Sequence, residues 1–349
     1  MPQTNFINLS RNQEVVSLEY QWALRPKPAP YELLSSWIAR MGFKNCGMLH
    51  PFCHSTWPGK PIWNRDIDTL SPNYILNDMA QMTGLSNRKA LETTFGRFEG
   101  IIYPKVNKAG PTKLINRIGV YHRTRTHCGL QWCPQCLEED EEPYYRLHWR
   151  LSLFSTCLKH SVILKCRCKN CGSPAAPHRN ELPVCHKCGE DRRKVKTLNA
   201  SSEVLQLEGA LFECLYNEVP PYYLNQNLHP LVFFSTIGRI QSLLVANVRS
   251  QRLRDTIQKH RKLPALDLSN YKSPMPELLS SGERHKVNML LFHILNGWPW
   301  MFVGYCQDAG MWWTWVTKDS KLKDLPFPIV HIADQFLSQD IAIRKSMTR

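Results

Sequence analysis

The sequence predicts a mainly α-helical fold that is interrupted by small cysteine-rich modules. Apolar residues recur at helical spacing in the first and last thirds of the chain, and most of the thirteen cysteines crowd between Cys128 and Cys188. The chain has 349 residues. A single core stops growing near ~250 residues, so we expect two or three domains.

Changes in composition and periodicity divide the chain into four predicted segments. Residues 1–27 form an N-terminal extension, and residues 28–120 form a helical domain that contains a helix-turn-helix. Residues 121–196 form the cysteine-rich segment, and residues 197–349 form a C-terminal helical domain. No internal repeat or low-complexity segment stands out.

The first helix of the N-terminal domain is predicted within "YELLSSWIARMG", where Leu33, Trp37 and Met41 share one face. A helical pair follows. Its first member repeats apolar residues at Ile75, Met79 and Met82 and ends at Gly84. Its second member begins at Ser86, a good N-cap residue.

This pair has the spacing of a helix-turn-helix, in which the second helix reads DNA. We expect the second helix to turn Leu91, Phe95 and Phe98 inward. Its predicted solvent-facing side chains are candidates for nucleic-acid contact: Arg88, Lys89, Glu92 and Arg97. An ordinary helical hairpin with a solvated outer face has the same pattern, so this alternative stays open.

The chain is strongly basic, with a formal charge of +15 and a pI of about 9.3. This charge favours an anionic partner, most simply nucleic acid, over an ordinary basic surface. Arg252 and Arg254, in the basic stretch 249–262, are further candidate contacts. No apolar run reaches the ~18 to 20 residues of a membrane span and no signal-peptide pattern opens the chain, so we expect a cytoplasmic protein.

Eight cysteine and histidine side chains occur as four closely spaced pairs. These pairs are Cys133 with Cys136, Cys157 with His160, Cys168 with Cys171, and Cys185 with Cys188. Disulfides are rare in a reducing cytoplasm, whereas zinc takes four nitrogen or sulfur ligands in a tetrahedron. The eight ligands would fill two such sites, so we predict two structural Zn²⁺ ions and small zinc-stabilised modules.

The grouping of these pairs stays open at the level of sequence. Sequential pairing gives one site with a histidine and one all-cysteine site, and we favour it because each closes a short loop. Interleaved pairing would give a cross-brace instead. Cys128 or Cys166 could replace one of the eight ligands, although we expect Cys166 to be left over.

The sequence offers no candidate catalytic residue. Closed zinc sites lack the open coordination position that metal catalysis needs, and neither H-E-x-x-H nor a phosphate-binding glycine loop occurs. The acidic run 138–142 is expected to form a solvated face rather than a carboxylate cluster. A zinc-dependent hydrolase or nuclease is therefore the least supported hypothesis.

The middle of the chain resembles the TniQ/TnsD family of transposition proteins. The likeness lies in "WCPQCLEEDEEPYYRLHWRLSLFSTCLKHSVIL", followed by "CKNCG", and in the earlier "ELLSSWIARM" and "MAQMTGLSNRKALETTF". Between the ligand pairs stand Tyr145, Arg146, Trp149 and Arg150, which could contact a partner. We favour a local core position for Trp149.

The resemblance implies a target-selection adaptor of a transposon, which couples a target-recognising entity to the AAA+ regulator that recruits the transposase. Some family members bind an attachment sequence directly. Others, closer to this length, act as dimers on an RNA-guided Cascade complex in CRISPR-associated transposons, and we expect this second kind. The implied partners are the Cascade subunits and guide RNA, the AAA+ regulator, target DNA and a second copy of the chain, with the protein on the nucleoid during transposition.

The alternative hypothesis is a stand-alone sequence-specific DNA-binding protein. In that case the helix-turn-helix would recognise a transposon attachment site through Arg88, Lys89 and Arg97.

Overall fold

Helices dominate the described part of the chain. The computed structural model describes residues 22–217, 219, 222–224, 228–246, 248–317 and 324–338, so most of the predicted N-terminal extension lies outside it. Within these residues there are thirteen α-helices, five 3₁₀ helices and two small antiparallel sheets of two strands each. The prediction of a mainly α-helical fold with small cysteine-rich modules is confirmed.

Besides the 3₁₀ helix Ile62–Asn64, the N-terminal part contains five α-helices. They are α1 (Leu34–Cys46), α2 (Leu49–Thr56), α3 (Ile67–Leu70), α4 (Asn73–Thr83) and α5 (Asn87–Leu91). The predicted apolar face of the first helix is correct, because Leu33, Trp37 and Met41 are fully buried. The burial of this face packs α1 onto α2 and α3.

Helices α4 and α5 form the predicted helical pair. Gly84 ends α4 in the left-handed region, with φ 66°, and the Ser86 hydroxyl accepts a hydrogen bond from the Lys89 amide at the start of α5. The pair is compatible with a helix-turn-helix, but α5 has only five residues. A turn then leads to a 3₁₀ helix, Phe95–Phe98. Phe95 and Phe98 are buried as expected, whereas Leu91 is 38% exposed rather than inward-facing.

The central segment has little regular structure. Its elements are the hairpin β1 (Val120–Tyr121) and β2 (Thr124–Arg125), helix α6 (Pro134–Glu139), the 3₁₀ helix Leu147–Arg150, the hairpin β3 (Thr156–Cys157) and β4 (Val162–Ile163), and the 3₁₀ helix Arg192–Lys194. In the second hairpin Thr156 pairs with Ile163 and Cys157 pairs with Val162.

The C-terminal part is helical, as expected. It contains α7 (Ser202–Tyr216), α8 (Pro230–Val245), α9 (Val248–Arg261), α10 (Ser281–Leu295), α11 (Trp300–Asp308), α12 (Trp313–Val316) and α13 (Phe327–Phe336), with a 3₁₀ helix at Pro276–Leu278. Among the described residues no single helix is long and apolar enough to cross a bilayer. Only α8 and α9 taken together meet that test, and they are bent by 95°.

The central segment joins the N-terminal helices through a buried ion pair. The Arg150 guanidinium is fully buried, and it donates to Asp66 at 2.7 and 2.9 Å and to Asp68 at 3.1 Å. Trp149 is also buried, as predicted, with Arg146 lying over its ring at 4.7 Å. The Tyr-Arg and Trp-Arg motif therefore supports the interior of the molecule.

A second buried connection joins the central segment to the C-terminal helices. The Glu208 carboxylate of α7 accepts hydrogen bonds from the amides of Ser155 at 2.8 Å and Thr156 at 2.9 Å, and from both hydroxyls. Asn288 of α10 donates to the same carboxylate at 3.0 Å. Buried apolar residues from Trp22 to Leu337 form one continuous core. The boundaries of the four segments predicted from the sequence stay predictions.

Candidate metal centres

Four side chains of the central segment converge on one point. The "first cluster" comprises Cys133, Cys136, Cys157 and His160. The His160 Nδ1 atom lies 3.3 to 3.5 Å from the three sulfurs, and the sulfurs of Cys136 and Cys157 are 3.5 Å apart. A tetrahedral zinc ion with ordinary bond lengths requires ligand atoms roughly 3.4 to 3.8 Å apart. A disulfide would bring two sulfurs to about 2.05 Å, so this geometry fits a metal and not a bridge.

Local structure positions these four ligands. Cys133 is the N-cap residue of α6, Pro134 occupies its first position, and Cys136 lies in its first turn. The hairpin of β3 and β4 carries Cys157, and the turn between its strands carries His160. Three of the ligands are nearly inaccessible to solvent, because Cys133, Cys136 and Cys157 are 0%, 1% and 2% exposed.

Glu139 supports the first cluster from outside. Its Oε1 atom lies 3.0 Å from His160 Nε2, and its Oε2 atom lies 2.6 Å from Lys159 Nζ. Metal-bound histidines commonly donate their second ring N–H to a carboxylate, which fixes the tautomer. The sequence reasoning missed this residue. Its signal was the spacing, since Glu139 follows Cys136 by three residues and so lies one turn further along α6.

The "second cluster" comprises Cys168, Cys171, Cys185 and Cys188. Its sulfurs pair at 3.6 Å between Cys168 and Cys188, and at 3.7 Å between Cys171 and Cys185. These separations also match the edge of a zinc–thiolate tetrahedron, about 3.8 Å. Both groupings join pairs that follow one another in the sequence, so the arrangement is the sequential one and not the cross-brace.

The two knuckles of the second cluster have the same backbone. The Cys168 carbonyl accepts a hydrogen bond from the Gly172 amide at 2.9 Å, and the Cys185 carbonyl accepts one from the Gly189 amide at the same distance. Gly172 and Gly189 have φ values of 71° and 75°, in the region that glycine tolerates best. The sharp bend directs amide hydrogens at the first thiol of each knuckle.

Ser173 adds a polar neighbour to the second cluster. Its hydroxyl lies 3.1 Å from the Cys171 sulfur and 3.2 Å from the Cys185 sulfur. Burial opposes ionisation of Cys185, but the Ser173 hydroxyl and the amides of Lys187 and Cys188 outweigh it and lower the pKa of the Cys185 thiol to about 6. A lowered pKa favours the thiolate that binds metal. Nothing in the spacing of the sequence indicated this serine.

The two extra thiols of the segment belong to neither cluster. Cys128 and Cys166 are buried neighbours of the buried Arg284 guanidinium, and the Cys128 thiol donates to the Leu279 carbonyl at 3.7 Å. The neighbouring Cys128 thiol lowers the pKa of the Cys166 thiol to about 6, with a further contribution from Arg284. The Ser281 amide, at 3.5 Å, also points to the Cys166 sulfur. Cys166 is therefore left over from the two ligand groups, as the sequence suggested.

The first cluster and the helices before it lie in a region with a family likeness. Residues 23–164 match the TniQ family model. A comparison with curated proteins finds no match for the chain. These residues, the "TniQ region", contain all four ligands of the first cluster, whereas the second cluster follows them. The match supports the resemblance to TniQ proteins and indicates a protein associated with transposition.

The acidic run of the TniQ region does not form a simple solvated face, contrary to the prediction. Besides Glu139, Asp140 lies 2.8 Å from Arg146, and Glu142 lies 2.7 Å from Arg40 and also contacts Lys44. Glu138 and Glu141 are exposed. Three of the five members, Glu139, Asp140 and Glu142, therefore pair with cations from elsewhere in the fold.

The candidate nucleic-acid residues of the TniQ region have different surroundings. Arg88 and Lys89 are exposed, and Lys89 lies 3.0 Å from Glu92. Arg97 is not directed to solvent as expected. Its guanidinium lies over the Tyr216 ring, 4.9 Å from the centroid, and 3.4 Å from Glu92. Only the first two of these cations are open to a ligand.

The two candidates on α9 also differ. Arg252 is exposed. Arg254 is 6% exposed, and its guanidinium donates to the backbone carbonyls of Leu244 at 2.8 Å and Ala246 at 3.3 Å. The predicted nucleic-acid contact of Arg254 is therefore corrected to a structural role, in which this side chain satisfies the carbonyls at the end of α8.

Proposed function

We propose that this chain is a non-enzymatic target-selection adaptor of a transposon. It links an RNA-guided CRISPR Cascade complex to the AAA+ transposition regulator, and through the regulator to the transposase. The observation that carries this proposal is the TniQ match over residues 23–164. Its partners are the Cascade proteins and guide RNA, the regulator, target DNA and a second copy of the chain, in the cytoplasm and on the nucleoid during transposition.

The chemistry of the two clusters supports a scaffold role. Each cluster offers four thiol or imidazole ligands within 4.8 Å of one another, which is the full set for a structural zinc ion. Two Zn²⁺ ions bound there would fix the shape of a segment that has little regular secondary structure. The proposal assigns no catalytic residue to the chain.

Exposed aromatic side chains offer docking area for protein partners. Trp300 is 60% exposed, Phe327 is 69% exposed and Tyr222 is 59% exposed. Aromatic residues of this kind often dominate the binding energy of protein interfaces. Exposed aromatic surfaces of this kind suit an adaptor that binds other proteins.

Copurification tests the adaptor function. The tagged chain is co-expressed with the Cascade subunits, guide RNA and AAA+ regulator of one transposon, and the captured material is analysed by mass spectrometry and RNA sequencing. We expect stoichiometric Cascade subunits and guide RNA to remain bound through a wash at 300 mM salt, which shortens the Debye length to roughly 5.5 Å from about 8 Å at 0.15 M. Capture of the chain alone, or of DNA without Cascade, overturns the proposal.

A second candidate function is stand-alone recognition of an attachment site. The observation in its favour is the exposure of Arg88 and Lys89 at the start of α5. Gel-shift titration of the metal-loaded chain separates the two functions. Sequence-dependent binding in the nanomolar range that is lost on Arg88→Ala supports the second function, whereas weak, salt-sensitive and sequence-independent binding supports the adaptor.

A further inference from the structure

Six cations surround the hairpin of β1 and β2, and none of them was a candidate from the sequence. We call them the "hairpin patch": Arg65, Lys108, Arg117, Arg123, Arg167 and Arg179. Contacts link them into one surface. Arg65 reaches the Lys108 carbonyl at 3.5 Å, Arg179 reaches the Arg123 carbonyl at 3.4 Å, and Arg167 reaches the Thr126 carbonyl at 3.4 Å. Arg117 shares a groove with Arg65 and Lys108.

The charges of the hairpin patch are not neutralised within the described part of the chain. None of the six cations lies within 4.0 Å of a carboxylate there, whereas Arg40, Arg146 and Arg193 each form such an ion pair. The groove does contain Asp66, but both oxygens of that carboxylate are bound by the buried Arg150. Clustered cations without acidic partners produce a positive potential that attracts an anionic ligand.

Neighbouring histidines respond to this potential. Burial lowers the pKa of His50, and the charges of Arg123 and Arg179 lower it further. Burial likewise lowers the pKa of His127, with Arg117 and Arg167 adding to the effect. The positive field therefore acts on groups at both sides of the hairpin.

The hairpin itself is held firmly and projects from the surface. His178 Nε2 lies 2.8 Å from the Arg123 carbonyl, and the Arg125 guanidinium reaches the Trp63 carbonyl at 3.3 Å. At its tip, His122 and Arg123 are exposed and Tyr121 is 69% exposed. Because these hydrogen bonds already fix the conformation of the tip, it would lose little conformational entropy on binding in a groove of a ligand.

We propose that the hairpin patch binds the backbone of duplex DNA, with the tip of the hairpin at a groove and the flanking cations on phosphates at both sides. Arginines form bidentate hydrogen bonds with phosphate oxygens, and β-ribbons fit DNA grooves. Single-stranded nucleic acid is disfavoured because its bases commonly stack on several aromatic side chains, and Tyr121 is the one large exposed aromatic among the described residues of the hairpin. The narrow, deep major groove of duplex RNA does not admit such a tip.

The inference rests on the proposed function in that the DNA bound here would be the target DNA. Binding of DNA to the hairpin patch, however, does not require Cascade. Its test uses the purified, metal-loaded full-length chain and a fluorescent 30-base-pair DNA of arbitrary sequence, without any other protein. Failure here leaves the copurification result untouched, and failure of copurification leaves this binding untouched.

The experiment compares two triple variants with the same change of charge. The patch variant carries Arg65→Gln, Arg123→Gln and Arg179→Gln, and the control carries Lys27→Gln, Lys196→Gln and Lys259→Gln, all exposed. Fluorescence anisotropy gives the affinity between 50 and 300 mM salt. We expect the patch variant to lose at least about tenfold in affinity and the slope of log K against log salt to fall by about 2 to 3, since each phosphate contact contributes roughly 0.9.

The control variant should stay within about twofold of the parent chain in affinity, with an unchanged slope. Metal content and thermal unfolding confirm that both variants are folded. Equal losses in the two variants, no loss in the patch variant, or tighter binding to duplex RNA or single-stranded DNA of the same length than to duplex DNA would each overturn the proposal.

Discussion

The Nε2 atom of His160 lies 3.0 Å from the Oε1 atom of Glu139, while Nδ1 of the same ring faces the sulfurs of Cys133, Cys136 and Cys157. With a proton on Nε2 shared with Glu139, the lone pair of Nδ1 is directed at the centre of the first cluster. The carboxylate therefore selects the imidazole tautomer that can bind a metal.

We expect Glu139→Ala to weaken metal binding at the first cluster by about tenfold, because outer carboxylates of this kind contribute about 10- to 100-fold to affinity. Competition with a zinc-binding dye measures the effect. The matched control is Glu138→Ala, which removes an exposed neighbour on the same helix. Equal affinities of the two variants would contradict a supporting role for Glu139.

The two clusters should release metal at different rates, because they differ in exposure. The first cluster is nearly closed to solvent, whereas Cys188 of the second cluster is exposed and Cys171 is half-buried. On addition of a chelator, we expect one equivalent of zinc to leave quickly and one slowly. Stopped-flow absorbance with a colorimetric chelator records both phases.

The variant Cys185→Ser with Cys188→Ser assigns the fast phase. It should bind one zinc ion and show only the slow phase. A single phase in the parent chain, or a fast phase that persists in this variant, would contradict the assignment.

Removal of the buried Arg150 guanidinium should strongly destabilise the fold. Arg150→Met leaves Asp66 and Asp68 without their shared cation in the interior, and a broken buried ion pair costs about 3 to 5 kcal/mol of unfolding free energy. Urea unfolding of the metal-loaded chain measures the loss. Arg193→Met is the matched control, since the pair of Arg193 with Asp191 is largely exposed and should change stability by at most about 1 kcal/mol.

Stability should fall in mild acid because of His148. Burial among aromatic rings lowers the pKa of His148 to about 3, and the charge of Arg146 adds to the effect. In the unfolded chain this histidine binds a proton below about pH 6.5, whereas in the folded chain it stays neutral down to about pH 3. The stability it contributes is complete above pH 6.5 and is lost as the pH falls towards 3.

At pH 5.5 the loss from this one group is about 1.4 kcal/mol. His148→Phe should remove this part of the pH dependence, measured as the difference in unfolding free energy between pH 7.5 and 5.5. Replacement of the exposed His54 by Gln should leave the difference unchanged. An unaltered pH dependence in His148→Phe would be inconsistent with a neutral buried imidazole.

Features that depend on neighbouring residues could be predicted from the sequence. The spacing of the cysteines brings both ligand sets together, because a C-x-x-C turn and a short hairpin fix their own geometry. The buried face of Leu33, Trp37 and Met41 and the capping of α5 by Ser86 are also local properties. These predictions agree with the structure because each depends mainly on residues that are close together in the sequence.

Features that depend on distant residues could not be predicted in this way. Glu142 pairs with Arg40, which precedes it by 102 residues, so the acidic run gave no sign of its partners. The helical pattern predicts a solvent-facing Arg97. It gives no sign of the contact with the Tyr216 ring, because Tyr216 lies far along the chain. Arg254 was assigned by charge alone, although it satisfies carbonyls where α8 ends. Burial and pairing of this kind require the packed fold.

The hydrogen bonds of Glu208 bear on any attempt to transplant the family-matched region into another protein. The match ends at residue 164, yet the amides of Ser155 and Thr156, beside the ligand Cys157, are satisfied from a helix more than forty residues further on. A chimera joined at residue 164 would lack Glu208, so the buried amides of Ser155 and Thr156 would have no acceptor from this carboxylate. Fusion points are better chosen after Tyr216, so that α7 travels with the hairpin it completes.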